Sequence, residues 1–253
     1  MTAVVLDTCT WQQVQTEIAH GRDTVVVAFG ATEQHGPHLP LATDALIGDR
    51  LAKLIADRLD AFVAPTVRIG CSSHHLAFPG TLSVSDDTFG AVVGDVVRSL
   101  ARGGFRHVVL IPTHGGNFAP LGAALARLGP IDGVEIHALT DVRVLLAIAQ
   151  LGASDYDVPI GCGGLHAGEW ETSMLLAIHP ELVRMDLAEA GYTGDLETAL
   201  GKLFHDGVDS ISANGVLGDP TVASAEHGER YWELAVQLVM AAVTDQTESS
   251  ELP

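Results

Sequence analysis

The sequence predicts an α/β fold built on a mainly parallel sheet, and three observations support this. Short apolar, β-branched runs alternate with helical patterns from Thr24 to about Leu146, the order that βαβ units produce. A chain of 253 residues is long enough to bury one sizeable core, so a single domain over residues 1–245 is expected. Two stretches fit neither period: residues 30–41 and 65–81 are rich in Gly, Pro and His, and each follows an expected strand. Ligands bind at such loops in open α/β sheets.

Taken in order, Thr24–Phe29 reads as the first buried strand, and 61–64, His107–Pro112 and 134–139 as three more; each is short, apolar and bounded by turn residues. After Asp44, the residues Leu46, Ile47, Leu51, Leu54 and Ile55 recur at helical spacing. Val92, Val93, Val96, Val97 and Leu100 form the apolar face of the next helix. Ser85 opens it as a cap, Asp86 and Asp87 complement the helix dipole, and Gly103-Gly104 ends it. Helices at 118–128, 141–150, 166–178 and 226–244 complete the pattern, and the acidic tail, 246–253, is expected to be disordered.

The formal charge of -19 disfavours nucleic acid and anionic lipid, because both are held mainly by Lys and Arg neutralising phosphates. The acidity reads as a solubility feature. No apolar run approaches the length of a membrane span, and the N-terminus lacks the basic start and apolar stretch of a secretory signal, so a cytoplasmic protein is expected. Cys9, Cys71 and Cys162 are odd in number and widely spaced, which suits reduced thiols.

Three clusters carry the chemistry. The first runs Ala31-Thr32-Glu33-Gln34-His35-Gly36-Pro37-His38 and continues to Asp44. Glu33 and His35 leave an extended backbone on one side, and Asp44 has two oxygens with which to bridge a pair of cations. Mixed imidazole and carboxylate donors suit divalent Zn, Mn or Fe rather than a thiolate site. The second, Thr113-His114-Gly115-Gly116-Asn117, follows a buried strand, and its glycines let backbone approach a ligand. The third is a glycine-rich turn followed by His166, Glu169 and Glu171. Read as helix from 166, His166 and Glu169 share a face and Glu171 points elsewhere; Glu169 is then the expected ligand and His166 the proton carrier, although spacing alone also permits the reverse.

His74, His75, His137, His179, His205 and His227 read individually as solvated surface groups, with His74, His75 and Phe78 also placed to line a cleft. A thiol mechanism built on Cys162 and His166 leaves Glu33, His35, Asp44 and His114 without a role. A dinucleotide-binding fold is disfavoured because no Gly-x-Gly-x-x-Gly follows the first strand. A structural metal module is disfavoured because such sites are closed and cysteine-rich.

With these residues in view, the sequence resembles the creatininase, or creatinine amidohydrolase, family: the segment 30–40 with Asp44 looks like its opening signature, and the His114 and His166 segments follow in order. The resemblance implies a three-layer α/β/α sandwich, two divalent metal ions with zinc first and manganese or iron next, and a homo-oligomer. It makes Glu33 and His114 ligands of one metal, His35 a ligand of the other, Asp44 the bridge and His166 the catalytic histidine. His38, Gly115, Gly116 and Asn117 are expected to contact substrate or to support the ligands. Creatininase itself carries a metal-binding glutamate at the position of Gly116, and its absence makes Glu169 the candidate replacement. The His-Gly-Gly-Asn form looks more like the branches containing the formamidopyrimidine nucleotide deformylase and the mycofactocin precursor peptidase. The expected activity is hydrolysis of a carbon–nitrogen bond in a small non-protein or cyclic amide by metal-activated water, with a formamide, a peptide end or a lactone as alternative substrates.

Overall fold

The computed structural model describes residues 2–250. Five parallel strands form one sheet: β1 (Val4–Val5), β2 (Thr24–Phe29), β3 (Phe62–Val63), β4 (His107–Pro112) and β5 (Glu135–Ala138), in the spatial order β1-β3-β2-β4-β5. β2 and β4 pair along their whole length, from Thr24 beside His107 to Phe29 beside Pro112. Both are the strands expected from sequence, residue for residue; the expected strands at 61–64 and 134–139 are trimmed to β3 and β5, and β1 is an addition.

The helices are α1 (Trp11–Ala19), α2 (Thr43–Leu59), α3 (Asp86–Gly103), α4 (Phe118–Leu128), α5 (Arg143–Asp155), α6 (Ile160–Gly163), α7 (Glu169–Ile178), α8 (Leu196–Asp206) and α9 (Ala225–Ser250). Alternation along the strands sorts them into layers. Val26, Ala28, Val109 and Ile111 face one way and pack with Ile47, Leu51 and Ile55 of α2, Ile148 of α5, Met174 and Leu175 of α7 and Tyr231 and Val239 of α9. Val25, Val27, Phe29, Val108 and Leu110 face the other way, onto Phe89, Val93 and Val97 of α3 and Leu121 of α4. Two apolar faces on one sheet require two helical layers, and the three-layer α/β/α sandwich follows.

Local signals explain the boundaries. Ser85 accepts from the Thr88 backbone N–H at 3.2 Å to start α3, and Gly104, at φ 102°, ends it in the left-handed region that glycine tolerates. Helix α7 starts at Glu169, not at residue 166: Ala167 has φ 52°, and His166 instead forms a bridge with Leu217. Helix α9 runs to Ser250, into the stretch expected to be a tail; residues 251–253 lie outside the described residues. Among the described residues no helix is long and apolar enough to cross a membrane.

Because all five strands run in one direction, the loops after β2, β3 and β4 emerge at one edge of the sheet. The loop after β3 folds across that edge, tied by bridges from Leu82 to Thr32 and from Ser83 to Gly70. Asn117 locks the three loops together: its Nδ2 donates to the carbonyls of Phe29 and Gly30, and its Oδ1 accepts from the Cys71 N–H at 2.9 Å.

Candidate metal centre

Glu33, His35, Asp44, His114 and His166 converge at this edge, and all five are buried. Asp44 reaches them from the first turn of α2, where it does not act as the cap. Gly30 makes this approach possible: a Cβ there would sit 2.8 Å from the Ala45 backbone.

Which ring nitrogen is left facing inward follows from which one meets a carbonyl, since a carbonyl only accepts. His35 donates from Nδ1 to the Glu33 carbonyl at 3.1 Å, so Nε2 is the nitrogen turned inward, 3.4 Å from Asp44 Oδ1. His114 donates from Nε2 to the Cys71 carbonyl at 3.1 Å, so Nδ1 is turned inward, 3.3 Å from both Asp44 Oδ2 and Glu33 Oε1. His166 donates from Nε2 to the Gln34 carbonyl at 2.7 Å and turns Nδ1 toward Glu33 Oε1, 3.7 Å away. Main-chain anchoring of one nitrogen, with the other aimed inward, is how metal-binding histidines are held in one tautomer.

Electrostatics concentrate here. Burial alone would depress His35, yet Asp44 beside it holds it up at about 9; burial likewise opposes the charge on His114, and Glu33 raises it well above the usual histidine value. Burial would raise the Asp44 carboxyl, but His35 and His114 draw it well below the ordinary range. Burial pushes Glu171 up to about 7, and burial with His35 alongside holds His166 well below 6.5, in the neutral form.

Several buried atoms make no hydrogen bond: both carboxylate oxygens of Glu33, His35 Nε2 and Asp44 Oδ2. An uncompensated buried carboxylate is costly, and here the orphaned atoms are nitrogen and oxygen donors facing one another. Three overlapping sets, Glu33 with His35 and Asp44, Glu33 with His75 and His166, and His35 with His166 and Glu171, each bring their ligand atoms within 4.8 Å. The residues present therefore fit divalent cations.

Glu169 does not join the cluster. Its Oε1 accepts from Ser173 and from His227, each at 2.8 Å, and its Oε2 from the Tyr231 hydroxyl at 2.5 Å, so it ties α7 to α9. Glu171, which was expected to point elsewhere, turns inward beside His35 and His166 and accepts from the Ala167 N–H at 2.5 Å. Starting the helix three residues later removes His166 from it and leaves the choice between Glu169 and Glu171 to the orientation of its first turn.

The expected supporting residues separate. His38 is buried and bonds Thr172 Oγ1 at 2.9 Å. Gly115 lines the cavity with open space where a Cβ would lie, whereas Gly116 is walled in by the Cys71 carbonyl and the His114 ring. Asn117 is saturated by backbone and serves as the clasp described above. Cys162 is not among the residues lining the cavity, and burial raises its thiol; a cysteine nucleophile finds no support.

The solvated reading of His74, His75 and His137 is corrected, since all three are buried, and His227 is mostly so. His75 belongs to the site: Gln34 spends its two N–H groups on His75 Nδ1 at 2.9 Å and on the Gly215 carbonyl at 3.1 Å, and His75 Nε2 faces Glu33 Oε1, 3.3 Å away. Gln34, between the two residues singled out in the first cluster, was missed although its position in the motif was in plain view.

The creatinine amidohydrolase family model matches residues 7–243. The mycofactocin precursor peptide peptidase of Mycolicibacterium smegmatis is 35% identical over 212 residues, 81% of this chain and 78% of that protein. The creatinine amidohydrolase of Pseudomonas putida is 29% identical, covering 96% of this chain and 97% of that one. Solved creatininases superpose closely: a mutant of Zn-Zn type has a TM-score of 0.77 at 27% identity, covering 97% and 99% of the two chains, and a manganese form has a TM-score of 0.78 at 27% identity, covering 96% and 98%. With sequence and fold in agreement, the chain belongs to the creatininase family.

Proposed function

We propose that the protein is an amidohydrolase that cleaves a carbon–nitrogen bond with two divalent cations, one held by Glu33, Asp44 and His114, the other by His35, Asp44 and Glu171. One observation carries this reading: the two oxygens of Asp44 face the inward ring nitrogens of different histidines, Oδ1 toward His35 and Oδ2 toward His114. A carboxylate so placed is suited to bridging.

Imidazole and carboxylate donors favour zinc, with manganese or iron as alternatives, and the Zn-Zn and Mn forms of the solved relatives support that range. Such a pair supplies water acidified toward neutrality and a Lewis acid for the carbonyl oxygen. The remaining work belongs to the chain. His166, neutral and with Nδ1 as its basic atom, takes the proton released by water and passes it to the departing nitrogen. His75 and Gln34 hold Glu33 and His166 in register. The open side at Gly115 admits the carbonyl compound.

The substrate is a small amide; a peptide end is the second reading, supported by the identity to the M. smegmatis peptidase. Elemental analysis of protein purified without added metal, followed by a panel of cyclic amides, formamides, short peptides and lactones, tests the proposal. Two equivalents of divalent metal and amide cleavage lost on chelation are expected; stoichiometric metal with no amide or peptide cleaved overturns it.

A further inference from the structure

The cavity that opens onto Glu33, Asp44 and His114 has a volume of about 330 Å³, at the small end of ligand sites. Away from the carboxylates its wall is apolar: Leu145 and Leu146 on α5, Leu203 and Phe204 on α8, and Trp170 on α7. No Lys or Arg is among the residues that line it. At the mouth, Leu200 and Phe204 leave 39% and 60% of their surface in solvent, and Phe204 packs on the His74 ring at 4.8 Å.

We infer that the amide substrate carries an apolar, uncharged body, which lies between α5 and α8 while the scissile carbonyl rests at the Glu33–Asp44 end. The inference builds on the hydrolase reading and adds the chemistry of the part that does not react. An anionic body would find no cation in the wall to offset the water it gives up. A polyol or a compact polar ring would lose its water against leucine and phenylalanine without gaining partners. An aliphatic or aromatic group fits the wall, covers Leu200 and Phe204 at the mouth, and gains roughly fourfold in affinity for each methylene buried. Both a non-peptide amide and a peptide with an apolar residue beside the scissile bond present this chemistry.

Titration calorimetry of the full chain stripped of metal tests the wall apart from the chemistry. The probes are the straight-chain primary amides from acetamide to octanamide, N-acetyl-leucinamide as the peptide arm, and hexanoate as the charge control. Affinity should rise about three- to fourfold per methylene until the cavity is filled, and hexanamide should bind at least tenfold better than hexanoate. Leu145→Asn in the wall, and independently Leu200→Asn at the exposed mouth where folding is not at stake, should flatten the series to less than twofold per methylene. N-acetyl-leucinamide binding better than the alkanamide of matched size assigns the peptide source, and the reverse order the non-peptide one; either result upholds the apolar body. Affinity independent of chain length in the wild-type protein, or hexanoate bound better than hexanamide, overturns it. Chain-length-dependent binding with no cleavage of any amide by the zinc-loaded protein leaves the wall assignment standing and overturns the hydrolase reading instead.

Discussion

His166 donates from Nε2 to the main-chain oxygen of Gln34 across 2.7 Å, so the only basic atom on that ring, Nδ1, faces the cluster. Replacement of His166 by Ala should lower kcat by roughly 10²- to 10⁴-fold, the range for loss of a positioned acid–base group. Metal content, read by elemental analysis, should stay at the wild-type value. Loss of metal together with activity would make His166 a ligand rather than a proton carrier.

Glu169 and Glu171 make opposite expectations. Glu171→Gln should weaken one of two metal equivalents by about 10- to 100-fold, as read by competition with a chromogenic chelator, while thermal unfolding of the metal-free protein changes little. Glu169→Gln should retain both equivalents and destabilise the fold by about 3 kcal/mol, because a buried carboxylate with three donors is lost between α7 and α9. Metal loss from Glu169→Gln with Glu171→Gln silent would return the ligand role to Glu169.

Two adjacent glycines should behave differently. A Cβ at Gly116 would run into the Cys71 carbonyl and the His114 ring, the pair whose hydrogen bond fixes the His114 tautomer. Gly116→Ala should therefore lower metal affinity at least tenfold, whereas Gly115→Ala, with nothing within 4 Å, should keep both metals. Isothermal titration with zinc reads both.

Acid should weaken the metal-free protein through its buried neutral histidines. Burial, with His35 nearby, holds His38 down at about 4 against a usual 6.5. Above pH 6.5 both folded and unfolded forms are neutral there and His38 has no effect. As pH falls from 6.5 toward 4 the unfolded chain takes the proton and the folded one does not, so stability declines, and below about 4 the loss is complete. Urea unfolding across this window should show the fall, and His38→Gln should reduce proton uptake on unfolding at pH 5 by about one. An unchanged slope in His38→Gln would show that the ring is protonated in the fold.

The parts legible from sequence are those where one physical term dominates. β2 and β4 are buried on both faces, so unbroken runs of Val, Leu and Ile mark them to the residue. Helix α1 buries none of its residues, so its apolar period is faint, even though the Thr10–Gln13 capping box was present to be read. The exchange of Glu169 for Glu171 turns on Ala167 taking a left-handed conformation that alanine seldom adopts, and no residue type announces it. His75 was obscured for a different reason: a histidine in a loop has no periodicity, and its place beside Glu33 depends on how the loop after β3 folds back across the sheet.

Asn117 joins the backbones of all three loops through a single amide, and this has a thermodynamic corollary. The donors for a metal pair come from segments far apart along the chain and meet only when the parallel strands are aligned and that clasp is closed. Cations would therefore act as cross-links between remote segments, and their affinity would be drawn from the stability of the whole sandwich. Stripping them should lower the melting temperature globally, and a chain unfolded without them should regain its sites only as the whole sandwich refolds.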